Sequence, residues 1–268
     1  MKHVVITGGA TGIGWAIAKQ YWQQGHHLHL VDKNAVALER CRIELACNIT
    51  TYAVDLTDAH QMSSLVRQLL ALPLWRLINN AGITHLSKAS ETHLNVFDTV
   101  MRLNWQAPVS LTQALLPRLQ GAKVINIVSM AAMLPLPGRA GYCASKAALA
   151  QHFEAWRPEL HALGVTLLMV YPAFVATQIE KHALSKDGKP TGRARSTTGD
   201  TLPPDTLART VLVADKKGKR RLIGSSLTAR MGLCLWRWWP ALYERICWRR
   251  FRQEWAISAP PKGHSHVD

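Results

Sequence analysis

The chain has 268 residues, and its 48% hydrophobic content suffices for the core of one large α/β domain, with or without a tail. It has no run of about 18 uncharged apolar residues, and an apolar strand followed by a glycine turn opens the chain, which argues against a spanning helix and a signal peptide. Five cysteines without metal-ligand spacing favour a reducing compartment and no metal site, and the net charge of +15 is concentrated near the C-terminus.

A strand, a glycine-rich turn and a helix open the chain. Residues 3–7 are apolar and predict a buried strand, and a helical pattern covers residues 15–24. Between them lie Gly8, Thr11, Gly12, Ile13 and Gly14. Glycines let the backbone approach a pyrophosphate, and the helix N-terminus offers free N–H groups, so this context predicts a dinucleotide site. The spacing G-x-x-x-G-x-G differs from the commoner G-x-G-x-x-G.

The second predicted strand, residues 27–31, ends at Asp32. An acidic residue about 20 positions beyond the glycine turn accepts hydrogen bonds from the adenosine ribose and repels a 2′-phosphate. This favours NAD over NADP, although the neighbouring Lys33 softens the repulsion. The alternative is a strand-end aspartate that only begins a turn.

The third and fourth predicted strands, residues 50–54 and 76–78, are also followed by polar or small residues. Asp55 and Leu56 follow the third strand, and the fourth is followed by Asn79, Asn80, Ala81 and Gly82. Ligands bind outside the carboxyl ends of parallel strands, so both segments are candidate cofactor contacts. The alternative for the second segment is an ordinary Asn-Gly turn.

Residues 91–119 predict one or two long helices that contain Asn104. An amide inside an apolar helical pattern is unfavourable and needs a hydrogen-bond partner.

The fifth predicted strand, residues 123–128, leads directly into Ser129, and a predicted helix then carries Tyr142 and Lys146. The i, i+4 spacing puts the phenol and the amine on one helix face. An ammonium beside a phenol lowers the tyrosine pKa, so Tyr142 could act as an acid or base, with the Ser129 hydroxyl on the substrate oxygen. The alternative is an accidental Tyr–Lys pair on a solvated face.

The sixth predicted strand, residues 165–170, precedes Pro172, Val175 and Thr177, and a last strand is predicted near residues 221–224. Apolar strands that alternate with helices predict an α/β fold with a doubly wound parallel sheet.

In this order, the motifs resemble those of the classical short-chain dehydrogenase/reductase family over residues 1–225. The resemblance implies a Rossmann fold of about seven strands and hydride transfer between a nicotinamide cofactor and a carbonyl/alcohol pair. It also implies a homodimer or homotetramer. One departure is Ala173, which follows Pro172 where the family usually has glycine. Because alanine does not easily adopt φ > 0, this turn must use an ordinary conformation.

The resemblance also implies roles for individual residues. Tyr142 would be the general acid/base, Lys146 would lower its pKa and hold the nicotinamide ribose, and Ser129 would orient the carbonyl. Asn104 would position a water that links Lys146 to solvent. The implied cofactor contacts are Gly8, Thr11, Gly12, Ile13, Gly14, Asp32, Asp55, Leu56, Asn80, Ala81, Gly82, Tyr142, Lys146, Pro172, Val175 and Thr177.

By position, residues 178–200 resemble the variable substrate lid of the family. The resemblance does not explain the rest of the chain. Residues 226–258 predict a basic, tryptophan-rich helical extension, and residues 259–268 predict a disordered tail. Residues 216–252 hold eleven Lys and Arg against one acidic residue, Glu244. In the extension a basic stripe, Arg245, Arg249 and Arg252, lies beside an aromatic stripe, Trp248, Phe251 and Trp255.

Three interpretations of this extension stay open. Residues 227–255 could contact a membrane peripherally, with tryptophans at headgroup depth and arginines on lipid phosphates. They could instead pack on the substrate pocket or on a second subunit, or serve another basic-patch role. A nucleic-acid role for the basic run at residues 216–221 is not expected, since no nucleic-acid-binding fold accompanies it.

The sequence thus predicts an NAD-dependent oxidoreductase that acts on a hydrophobic carbonyl or alcohol. It also predicts a cytoplasmic protein, which would be peripheral at the inner face of a membrane if the extension binds lipid. The alternative is a catalytically idle NAD-binding regulator or membrane-surface scaffold.

Overall fold

The computed structural model describes residues 1–191, 201–224 and 227–258. Three predicted features lie wholly or partly outside these residues: the tail at 259–268, the second half of the lid at 192–200, and the domain boundary at 225/226.

Seven strands form one parallel sheet in the order β3-β2-β1-β4-β5-β6-β7. The strands are β1 (His3–Thr7), β2 (His27–Asp32), β3 (Ile49–Ala53), β4 (Leu74–Asn79), β5 (Lys123–Ile127), β6 (Thr166–Tyr171) and β7 (Arg221–Ile223). The chain adds β2 and β3 on one side of β1 and then returns to add β4 on the other side. This reversal leaves a crevice at the carboxyl ends of β1 and β4. The predicted doubly wound Rossmann sheet is confirmed.

Helices cover both faces of this sheet. They are α1 (Gly12–Trp22), α2 (Ala35–Leu45), α3 (Ala59–Leu69), α4 (Leu94–Met101), α5 (Ala107–Leu115), α6 (Ala140–Ala162), α7 (Pro204–Lys216), α8 (Leu227–Trp238) and α9 (Pro240–Ser258). One core contains buried side chains of α1, α2 and α7, and the other those of α3, α5 and α6. Alternate strand residues supply the two cores, since Val4 and Ile6 face one and Val5 the other.

The first helix begins at Gly12, three residues earlier than the apolar pattern predicts. Glycine favours turns, so the sequence pattern places Gly14 before the helix. In the structure Gly14 is a buried residue of α1, and a Cβ there would collide with the carbonyl oxygen of Gly8. Close packing of helix against turn therefore requires glycine at this position.

A buried ion network joins the end of α7 to the sheet. The Asp215 carboxylate accepts hydrogen bonds from Arg76 Nε at 2.9 Å, Lys123 Nζ at 2.6 Å and the Tyr21 hydroxyl at 2.8 Å. Burial raises the pKa of Asp215, but the hydrogen bonds from Arg76 and Lys123 outweigh it and lower that pKa below its ordinary value. One carboxylate thus holds α1, α7, β4 and β5 together.

A cluster of histidines lies at the start of β1 and β2. His3 Nδ1 is 2.8 Å from His29 Nε2, and His29 Nδ1 is 3.0 Å from the Tyr52 hydroxyl. The His27 ring lies 4.8 Å from the His29 ring. Burial, followed by the charges of His27 and His3, lowers the pKa of His29 to about 3. This imidazole is therefore neutral in the folded chain at every ordinary pH.

We expect this cluster to make the fold acid-sensitive. In the unfolded chain His29 binds a proton below pH ~6.5, whereas in the folded chain it does not until about pH 3. Above pH ~6.5 the neutral His29 does not reduce the free energy of unfolding. Below that pH the free energy of unfolding falls by about 1.4 kcal/mol per pH unit, so about 2 kcal/mol is lost at pH 5. Urea unfolding between pH 7 and 5 measures this slope, and His29→Gln should flatten it. Parallel slopes for the two proteins would contradict the assignment.

The C-terminal extension is helical, and α9 begins at Pro240, where the missing N–H costs no helical bond. The Tyr243 hydroxyl donates a hydrogen bond to the Pro135 carbonyl at 3.0 Å. Phe251 is buried against Gly138, which has no room for a Cβ. The extension therefore packs on the loop that precedes α6. No helix in the described ranges is both long and apolar enough to cross a bilayer.

Candidate active site

A cleft of about 1090 Å³ opens at the carboxyl ends of the strands. It brings together nearly all of the predicted site residues. Those that line it are Gly8, Thr11, Gly12, Ile13, Asp32, Asp55, Leu56, Asn80, Ala81, Gly82, Ser129, Tyr142, Lys146, Pro172, Val175 and Thr177. Gly14 and Asn104 were predicted with them but lie behind the cleft surface, both buried.

The glycine turn is shaped by backbone conformation and by the end of β4. Gly8 and Gly12 have φ of +60° and +55°, which side chains rarely allow. A Cβ on Gly8 would lie 2.9 Å from the Cα of Ala81. The Asn80 amide donates to the carbonyls of Thr7 and Gly8, both at 3.0 Å. The turn thus leaves a bare backbone cradle at the N-terminus of α1, which fits a pyrophosphate.

Asp32 lies at the far end of this cradle, at the end of β2. Its Oδ2 accepts a hydrogen bond from the Ala10 N–H at 3.3 Å, and its Oδ1 accepts one from the Asn34 N–H at 3.0 Å. Lys33 lines the cleft beside it and is exposed. The carboxylate is therefore fixed at the cleft edge, with one cation next to it.

Ser129, Tyr142 and Lys146 all line the cleft, and Ser129 hydrogen-bonds Tyr142. Ser129 lies two residues after β5 and caps a short 3-10 helix (Met130–Ala132), with its Oγ accepting from the Ala131 N–H at 3.1 Å. Tyr142 lies in the first turn of α6, and Lys146 one turn later donates from Nζ to the Ile127 carbonyl at 3.0 Å. Burial lowers the pKa of Lys146 to about 8.

The pKa of the Tyr142 phenol is raised, whereas the sequence predicts that it is lowered. Burial raises the pKa of Tyr142 to about 12, and the hydrogen bond with Ser129 lowers it only in part. The lowering by Lys146 that the i, i+4 spacing predicts does not govern this pKa. Desolvation of the phenolate outweighs the neighbouring groups, so Tyr142 carries its proton at neutral pH.

Asn104 lies in a π-helical turn (Arg102–Gln106) between α4 and α5. Its Oδ1 accepts from the Ile83 N–H, and its Nδ2 donates to the Ile83 carbonyl and to Ser145 Oγ, each at 2.9 Å. A Cβ on Gly82 would lie 3.1 Å from Asn104 Oδ1 and 3.4 Å from Lys146 Nζ. Asn104 thus ties the loop after β4 to α6. The water that it was predicted to position stays a prediction.

His85 lies behind the cleft surface and supports the start of α6, and no sequence motif indicates it. It is buried, its Nε2 accepts from the Gly141 N–H at 2.9 Å, and its Nδ1 is 3.1 Å from Ser87 Oγ. Burial, followed by the charge of Arg139, lowers the pKa of His85 to about 4. A neutral imidazole therefore holds the first turn of α6 next to Tyr142.

Arg139 and Glu180 were also missed. Arg139 Nη2 donates to Glu180 Oε2 at 2.9 Å, and both residues line the cleft. This pair joins the start of α6 to the first part of the segment predicted as a lid. The position of Arg139 three residues before Tyr142 is the only local signal for it.

The loop that follows Pro172 uses ordinary conformations, because Ala46 and Asn48 are the non-glycine residues with positive φ in the described ranges.

The C-terminal helices form the outer wall of the cleft. Residues from both helices line it: Thr228, Ala229, Gly232, Tyr243, Cys247, Arg250 and Phe251. Packing against the substrate pocket was one of the predicted alternatives, and the structure has this packing. The predicted aromatic stripe does not lie on one side of the helix: Phe251 is buried, whereas 51% of Trp248 is exposed. The Trp255 side chain lies outside the described residues.

Comparisons with known proteins agree with this geometry. The sequence model of the short chain dehydrogenase family matches residues 2–188. Dehydrogenase/reductase SDR family member 7B from Bos taurus is 30% identical over 265 residues, which cover 94% of this chain and 82% of its own.

Two solved structures are similar to this chain. A short-chain dehydrogenase from Sphingobium yanoikuyae in complex with NADPH has a TM-score of 0.76 at 25% identity, covering 99% of each chain. The 3-ketoacyl-(acyl-carrier-protein) reductase from Brucella melitensis complexed with NADH has a TM-score of 0.73 at 23% identity, covering 84% of this chain and 96% of its own. At that identity the second shows the fold alone. On the family match and the bovine relative, the chain belongs to the short-chain dehydrogenase/reductase family.

Proposed function

We propose that the protein transfers a hydride between NAD and a hydrophobic carbonyl/alcohol substrate, with Tyr142 as the general acid/base. The observation that carries this proposal is that Ser129, Tyr142 and Lys146 share one cleft with the glycine turn. A scaffold that only bound the dinucleotide would have no chemical need for all three side chains.

The residues of the cleft fit a dinucleotide. The glycine cradle suits a pyrophosphate, Asp32 suits the adenosine ribose, and Asp55 and Leu56 lie on the same side. Val175 and Thr177 lie across the cradle, with Thr177 Cγ2 3.5 Å from a Cβ position on Gly12. When bound, a nicotinamide cofactor supplies or accepts the hydride.

Side chains of the protein, and not the cofactor, exchange the proton with the substrate oxygen. Tyr142 is protonated at neutral pH, so it can donate its proton to a substrate oxygen during carbonyl reduction. Ser129, which hydrogen-bonds the phenol, can donate to the same oxygen. When the alcohol product leaves, the Ser129 hydroxyl can turn back to the phenolate and stabilise it by that hydrogen bond. Lys146, one helical turn away, would hold the nicotinamide ribose. Alcohol oxidation is the reverse step, in which the Tyr142 phenolate would take up the proton; because its pKa is raised to about 12, we expect that direction to speed up with rising pH.

The substrate side of the cleft favours an apolar molecule. Its walls carry Leu134, Leu136, Pro137, Leu184 and Phe251 among others. Such walls contribute to binding in proportion to the apolar area that a substrate buries.

The cofactor preference yields a prediction at the Asp32 edge. We expect NADH to bind at least about tenfold more tightly than NADPH, because the Asp32 carboxylate would face the 2′-phosphate. Asp32→Ala should bring the two dissociation constants within a few-fold of each other. Lys33→Ala removes the neighbouring cation and should shift the ratio the opposite way. Fluorescence titration of each purified protein measures both constants; tighter NADPH binding by the unaltered chain would overturn the preference.

The function is tested by following NADH consumption with carbonyl compounds of increasing apolar chain length. We expect turnover that rises with chain length. No turnover in either direction, combined with tight NADH binding, would favour the idle regulator or scaffold.

We further propose that the protein is a cytoplasmic homodimer or homotetramer. All five cysteines lie within the described residues and are free thiols, which suits a reducing compartment. A surface groove between α5 and α6, with Val109, His152 and Trp156 half-buried in it, supports self-association. Size-exclusion chromatography with light scattering tests the oligomeric state.

A further inference from the structure

The C-terminal helices have a second face, turned away from the cleft, that exposes large apolar side chains. The exposed fractions are 70% for Trp238, 63% for Trp239 and 51% for Trp248. We define the outer face of α8–α9 by its exposed apolar residues: Met231, Trp238, Trp239, Leu242, Ile246 and Trp248. A concentration of exposed apolar side chains on two adjacent helices marks an interaction site.

The same helices are strongly basic. Residues 228–252 carry six exposed arginines against one acidic residue, Glu244, which is also exposed. The arginines are Arg230, Arg237, Arg245, Arg249, Arg250 and Arg252. The inner residues Tyr243, Cys247 and Phe251 follow one another at i, i+4 and i+8 and face the protein. Arg245 and Arg249 therefore lie on the solvent side of α9, near Leu242 and Ile246.

We propose that the outer face of α8–α9 docks on an anionic lipid surface. Tryptophans settle at headgroup depth, and arginines contact lipid phosphates. Charge complementarity selects this occupant. A second copy of the chain in a two-fold contact would bring the same arginines together, which like-charge repulsion opposes.

Docking also has a consequence for the cleft, and this part alone rests on the proposed function. Because α8 and α9 form the cleft wall on their inner side, docking places the substrate side of the cleft beside the lipid. An apolar alcohol or ketone dissolved in the bilayer then has a short path to Tyr142.

The experiment is flotation of the full-length protein with vesicles of phosphatidylcholine, with and without phosphatidylglycerol, at low and high salt. The test variant combines Trp238→Ser, Trp239→Ser, Arg245→Glu and Arg249→Glu. The matched control makes two apolar-to-serine and two arginine-to-glutamate changes on exposed residues of α2 and α3: Val36→Ser, Ile43→Ser, Arg40→Glu and Arg67→Glu. Thermal unfolding and NADH binding, which need no lipid, establish that each variant folds. Arg245→Gln with Arg249→Gln serves if the fourfold variant does not fold.

We expect the unaltered protein to bind anionic vesicles about tenfold or more above neutral ones, with high salt removing most of the difference. The test variant should lose about tenfold in partitioning, the Gln pair should lose the salt-sensitive part, and the control should stay within about twofold. Absence of vesicle binding by the unaltered protein, or equal losses in variant and control, overturns docking. A dimer that the test variant dissociates, without vesicle binding, assigns this face to a second copy instead. NADH turnover measured separately keeps failure of docking distinct from failure of the proposed function.

Discussion

Tyr142→Phe is expected to lower kcat/KM by about 10²–10⁴-fold while leaving NADH affinity nearly unchanged. The variant keeps the ring that packs in the cleft and removes only the hydroxyl that would exchange a proton with substrate. Stopped-flow or steady-state turnover with the best substrate of the carbonyl series measures the loss. NADH titration of the same sample shows whether the cleft is intact.

Tyr52→Phe is the matched control. It removes a tyrosine hydroxyl that lies 3.0 Å from His29 Nδ1, on a residue that does not line the cleft. We expect normal turnover from this variant. Undiminished turnover in Tyr142→Phe would rule out the assigned acid/base, whatever the family membership.

Asp215→Ala is expected to reduce the free energy of unfolding by about 3–5 kcal/mol. The Asp215 side chain is 1% exposed, and its partners Arg76 and Lys123 are only 11% and 10% exposed. Removing the carboxylate leaves two cations in a poorly solvated place, and desolvation of an unpaired charge is the dominant cost. Urea denaturation measures the change, which corresponds to about 10 °C in Tm for a chain of this size.

Asp205→Ala on the same helix separates this effect from loss of an ordinary ion pair. Asp205 is 57% exposed and lies 3.6 Å from Lys19 Nζ. Solvent screens such a pair, so we expect a loss below about 1 kcal/mol. Comparable losses in the two variants would show that the buried network adds nothing beyond surface pairing.

Features with a local signal could be predicted from the sequence. The strands are short apolar runs and were placed within about two residues. Most of the cleft residues could be found because they lie at or just after the end of a strand, and parallel strands bring their carboxyl ends to one edge. Tyr142 and Lys146 lie in a helix and were indicated by their i, i+4 spacing. Pro240 marks the start of α9 because proline cannot continue a preceding helix.

Features that depend on distant parts of the chain could not be predicted. His85 meets Gly141 across 56 positions, and Arg139 meets Glu180 across 41, without a sequence pattern that joins them. The Tyr142 pKa depends on the water that the whole cleft removes, whereas the sequence shows only the adjacent Lys146. Gly14 looks like part of a turn until the carbonyl of Gly8 packs against it.

The two sides of the cleft come from opposite ends of the chain. The cradle at the glycine turn is built from residues up to Thr177, whereas α8 and α9 complete the outer wall. During synthesis the residues of the cradle therefore leave the ribosome before α8 and α9 can close the cleft. A nonsense mutation ahead of these helices would leave a product that lacks this wall but keeps the residues of the cradle.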